Sequence, residues 1–131
     1  MKTGIVVYII FLLLFCSCSP DSGGQRIAEI TVDFVWDLKK PQRSPEIHLR
    51  NIPTETSFLN LYFFDATNEW EHGGGSVIYN GSGIIPAGTV NEFKGISSTW
   101  GVPDVRLTVK AFNKNNQLVG KGDVTKSPPK L

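Results

Sequence analysis

Alternation of apolar and polar positions governs the chain from Ile27 onward. In IAEITVDFVW, Ile30, Val32, Phe34 and Trp36 fall on one face, with Thr31 and Asp33 on the other. That two-residue period is the mark of a strand with one buried face. VRLTVKAF repeats it, with Val105, Leu107, Val109 and Ala111 inward and Arg106, Thr108 and Lys110 outward. SFLNLYFFD is apolar on both faces, which predicts a strand in the middle of the structure, covered on two sides. Shorter strands are predicted at PEIHLR, SVIYN and QLVGKGDVT, separated by turn signals at Asn51-Ile52-Pro53, Asn80-Gly81, Pro86-Ala87-Gly88 and Asn113 to Asn116. No later window carries a 3.6-residue apolar stripe, and no internal repeat stands out. The pattern predicts an all-β, single-domain antiparallel β-sandwich whose function, if any, sits on loops.

The first residues break this pattern. Lys2 is followed by an apolar run from Ile5 to Phe15, the length of a signal-peptide core and short of the ~20 residues of a membrane span. FCSC then resembles a bacterial lipobox, with small Ser17 before Cys18, although Phe15 and Cys16 depart from the usual Leu-Ala/Ser-Gly/Ala. The resemblance implies that Cys18 carries lipid and that two or more acyl chains anchor the protein stably. The organisation read from this is a lipoprotein signal peptide over residues 1–17 and a flexible tether over 18–26. The sandwich follows over 27–126, with a disordered tail over 127–131. Ser19 after Cys18 fits, by analogy with known lipoproteins, export to the periplasmic face of an outer membrane. A secreted form or a single N-terminal membrane anchor is the alternative.

Charge and cysteine content narrow the chemistry. The formal charge is +1 and falls to about zero without Lys2; the Lys and Arg residues are scattered rather than clustered, which sets nucleic-acid binding aside. Both cysteines lie in the export segment, so a chain beginning at Cys18 keeps no thiol for a disulfide, a metal or a nucleophile. Core packing alone must hold the domain, and a domain of roughly 110 residues buries about two-thirds of its unfolded surface. His48 alternates against Ile47 and Leu49 and faces away from them. The two histidines have no spacing that suggests a zinc site or a Ser-His-Asp triad. Asp65, Asn68, Glu69 and Glu71 offer oxygen ligands for calcium but match no EF-hand loop, and a solvated acidic turn accounts for them. No enzyme activity, catalytic residue, metal or cofactor is expected.

Three segments in order carry a family resemblance. SPEIHLRNIPTETSFLNLYFFD, SVIYNGSGIIPAGT and GISSTWGVPDVRLTVKAFN resemble, from about Ser44 to Asn113, segments of the phosphatidylethanolamine-binding protein family, bacterial periplasmic type. The resemblance implies a β-sandwich with an anion pocket at one end, built from an aspartate, histidines and backbone N–H groups. Carried across, Asp65 stands at the start of the family's Asp-Pro motif, while the family's pocket histidine falls at Gly75, three residues after His72. Both prolines after Asp65 and the Pro-Pro pair of the later loop are missing, so the chain reads as a trimmed, degenerate member.

The stretch DATNEWEHGGGSVIYN therefore has two readings. In one, Asp65, His72 and Gly75 line a pocket for a small anionic or phospholipid-headgroup ligand, with Trp70 and Trp100 beside it. In the other, the glycines supply positive φ in a turn between strands. Loop tryptophans either recognise a ligand or cap the open end of the core. Two functions follow: a membrane-tethered, non-enzymatic binding module, or a structural lipoprotein. The second contacts another envelope protein through a sheet edge or its loop tryptophans.

Overall fold

The computed structural model describes residues 26–96 and 101–130. Cys18 and Trp100, and with them the expected lipid site and one expected loop tryptophan, lie outside the described residues. Strands run in chain order as β1 (Ala28–Glu29), β2 (Thr31–Val35), β3 (Glu46–Arg50), β4 (Thr56–Asp65), β5 (Trp70–Ile78), β6 (Ile84–Ile85), β7 (Glu92–Phe93), β8 (Val105–Asn113) and β9 (Leu118–Lys126). They form a six-stranded sheet in the order β1-β9-β8-β4-β5-β7 and a three-stranded sheet in the order β2-β3-β6. The two sheets are in contact, so the chain is an all-β sandwich of six plus three strands among the described residues. Every pairing is antiparallel except β1 with β9. Ile30 is the point where the chain leaves one sheet for the other, and its N–H donates to the Lys121 carbonyl at 2.9 Å.

The alternation read from the sequence places the core. Val32, Phe34, Ile47 and Leu49 of the small sheet meet Leu59, Leu61, Phe63, Leu107 and Val109 of the large one, all buried. Edge-on ring contacts link Trp36 to Phe34 at 5.3 Å, Phe34 to Phe63 at 6.3 Å and Phe63 to Phe93 at 4.9 Å. That geometry suits the ring quadrupoles, and the chain of rings crosses both sheets. Lys126 closes the same end: its Nζ donates to Asp33 Oδ1 at 2.9 Å and to the Phe34 carbonyl at 2.7 Å. The Lys126 ammonium is the main reason the Asp33 carboxyl titrates below its ordinary value.

Two expectations are corrected here. β4 is central within its sheet, yet the second sheet packs on only one of its faces. Phe58, Tyr62 and Phe64 point the other way and are half-buried among their own neighbours. The other correction concerns the turn expected before SVIYN, because the strand begins earlier, at Trp70, and ends at Ile78. The cause is a β-bulge. Pairing runs Tyr62 with Gly74 and then Phe64 with Glu71, so His72 and Gly73 together oppose Phe63. Gly73 takes φ 73° there, and a Cβ would collide with the Glu92 carbonyl of β7; the extra residue needs glycine. The bulge reverses the alternation, which turns His72 from the outer face to the core.

Candidate functional site

Asp65 ends β4 on the core side and is fully buried. A buried carboxylate must be satisfied internally, and the turn that follows is folded around it. Oδ1 accepts the Thr67 N–H at 2.8 Å and the Asn68 N–H at 2.7 Å, and Oδ2 accepts the Asn68 side-chain amide at 3.0 Å. Glu69 takes φ 58° to close the turn and deliver the chain to Trp70. A neighbouring segment holds the turn from outside. The Ala66 N–H donates to the Asp104 carbonyl at 2.8 Å, and the Asp104 N–H donates to Thr67 Oγ1 at 3.0 Å. Burial pushes the Asp65 pKa up, but the Asn68 amide and side chain, the Thr67 amide and the His72 ring together outweigh it. The carboxyl is held below its ordinary value.

His72 is buried by the bulge with its Nε2 3.5 Å from Asp65 Oδ2. That separation suits an electrostatic contact and is too long and misaligned for a hydrogen bond, and Nε2 has no hydrogen-bond partner among the described residues. Trp70 is 56 % exposed, directly beyond the fixed turn. Gly75 pairs with Leu61 inside β5, with φ 148° and Val90 nearest to its missing side chain.

The structure thus brings Asp65, Trp70 and His72 together and places Gly75 further along the strand. The Asp65 turn is joined to Asp104 by the bonds of Ala66 and Thr67. Both Asp65 oxygens already accept bonds from the protein itself, and no cluster of three or more His, Cys, Asp or Glu suited to a metal occurs among the described residues. His48 lies on the outer face of the small sheet with Nε2 2.6 Å from Glu46 Oε1, both exposed. Among the described residues, this end of the sandwich exposes the Trp70 side chain directly after a turn hydrogen-bonded to Asp65.

Sequence reasoning missed a second surface. The outer face of the large sheet holds a depression of about 550 Å³ lined by Tyr62, Arg106, Lys110, Lys121 and Asp123 among others. Arg106 lies over the Phe64 ring at 5.1 Å. Burial first, then the Glu71 carboxylate, push the Tyr62 phenol upward in pKa, with Arg106 opposing. Two signals in the sequence pointed here: the doubly apolar β4, and the continuation of VRLTVKAF to an outward Phe112. No protein-family model matches this chain, and no curated protein is similar to it at a significant level.

Proposed function

We propose that this chain is a non-enzymatic lipoprotein of the cell envelope, tethered through Cys18 to the periplasmic face of an outer membrane. It contacts a second envelope protein through the Trp70 end of its sandwich. The observation that carries this reading is the exposed Trp70 that opens β5 directly after a turn whose Thr67 and Asn68 amides bond a buried carboxylate. Exposed tryptophans at contact sites act as anchors, because a large apolar body and one N–H donor act together. A turn already ordered before binding loses little further conformational freedom, which favours affinity. The internal engagement of Asp65 supports a structural role for the carboxylate rather than an anion cradle, since a buried negative charge repels phosphate. The likeness to the phosphatidylethanolamine-binding family enters this proposal only through its two-sheet architecture.

The test is site-specific photo-crosslinking of the full chain in its native envelope. A benzophenone side chain at position 70 should capture one discrete protein, and the same probe at exposed position 48 should not. Trp70→Ala should weaken recovery of that partner by at least about 30-fold, the scale of an anchoring tryptophan. Its unfolding free energy should stay within about 0.5 kcal/mol of the parent, as for other exposed positions. Equal capture from both positions, or undiminished recovery with Trp70→Ala, would overturn the proposal.

A further inference from the structure

The register of the large sheet lines up Leu118, Phe112, Phe58 and Ile78 in one row across β9, β8, β4 and β5. The Phe58 and Phe112 rings stack at 5.1 Å with 10° between planes. Ile78 is 88 % exposed. The row lies on the face turned away from the second sheet. The next outward row, about 7 Å further along at ~3.4 Å per residue, reads Glu29, Lys121, Lys110, Asn60 and Ser76. Lys110 and Lys121 stand directly opposite each other. Like charges so placed destabilise a sheet; Glu29 of β1 stands opposite Lys121 on its other side, whereas Lys110 faces only Lys121 and Asn60, with no carboxylate opposite it. Arg106 adds a third cation to the depression these lysines line, against the single carboxylate of Asp123.

The chain enters the domain at this same corner. β1 lies parallel beside β9 with Ala28 opposite Gly120, so Arg26 and Ile27 lead toward Leu118, and Ile27 is 49 % exposed. The tether proposed to start at the lipid-bearing Cys18 joins the domain here. Trp70 begins β5 and Ile78 ends it, which puts the proposed partner contact at the opposite end of the sandwich.

We infer that this corner docks on an anionic lipid bilayer. Ile78, Phe58, Phe112, Leu118 and Ile27 enter the boundary between headgroups and acyl chains, and Lys110 and Lys121 meet the phosphates. Surface-seated apolar groups reach about 5–10 Å into that boundary, so a cationic row about 7 Å behind the apolar one stands at phosphate level. Anionic lipid attracts each such lysine over a Debye length of about 10 Å. The inference concerns the end remote from Trp70 and stands or falls separately from the partner contact.

The experiment places the full chain, with isoleucine δ1-methyls labelled, in nanodiscs of phosphatidylcholine and phosphatidylglycerol doped with a spin-labelled lipid. Paramagnetic broadening of Ile27 and Ile78 is expected to exceed several-fold that of Ile84, which is 50 % exposed on the other sheet. It should fall in discs of phosphatidylcholine alone. Ile78→Ser, at a site too exposed to affect folding, and Lys110→Glu with Lys121→Glu are each expected to reduce the broadening of Ile27. Broadening of Ile27 without Ile78 would show a tether and no docking, and would overturn the inference. So would a sharp Ile78 methyl shielded by residues 1–25, a second copy or a protein partner. Equal broadening with and without anionic lipid, or in the lysine variant, would also contradict it.

Discussion

Replacing Asp65 by alanine is expected to destabilise the protein by about 3–5 kcal/mol, the range for breaking a buried, hydrogen-bonded charge. The substitution leaves the Thr67 and Asn68 N–H groups and the Asn68 amide without their acceptor and removes the carboxylate beside His72. Asp65→Asn keeps an oxygen for the two backbone N–H groups and should cost less than half as much. The pair separates by pH. The Asp65 carboxyl has a lower pKa folded than unfolded, so it contributes stability that is fully present above the unfolded value near 4. That contribution drains as pH falls through the folded value. Urea unfolding between neutral pH and pH 2.5 should therefore show the parent converging on Asp65→Asn in acid, with Asp33 leaving a smaller residual slope. Parallel pH profiles for the two proteins would contradict the role assigned to Asp65.

Phe63→Ala should cost about 3–5 kcal/mol, because a fully buried ring is lost and a cavity remains. Phe63 touches both Phe34 of the opposite sheet and Phe93 of β7, so its removal uncouples the sheets at the end that carries the Trp70 turn. Phe63→Leu preserves most of the volume and should cost less than about 1.5 kcal/mol. Chemical denaturation of the three proteins checks the order. Similar losses for leucine and alanine would mean that the edge-on ring contacts, rather than cavity and area, dominate at this site.

The sandwich was legible in the sequence because strand alternation is local. Val32 and Phe34, like Val105 through Ala111, announce their buried face with no knowledge of their partners. Two features were not legible for the same reason. The bulge at His72–Gly73 is set by what stands across from it, Phe63 on one side and Glu92 on the other. An alternation count cannot see that a residue has changed faces. Likewise the apolar outer residues of β4 looked like a second buried face, because hydrophobicity records a preference for leaving water and not what provides the cover. Tyr62 stacks on Phe64 and Phe58 on Phe112, and Ile78 at the end of the Phe58 row stays open. Asp65 was read as a pocket residue from its place at the start of the family's Asp-Pro motif; its burial and its three bonds to Thr67 and Asn68 depend on how β4 meets β8.

The proposed contact requires that the turn leading into Trp70 be fixed before any partner arrives. Amide hydrogen exchange at Thr67 and Asn68 in the full chain tests it most directly, with the β8 amide of Val109 as the reference. Bonds from these two amides to a buried carboxylate predict exchange slowed by orders of magnitude, approaching the rate of the strand core and released by Asp65→Ala. Exchange at the rate of an open loop, unchanged by that substitution, would contradict the account.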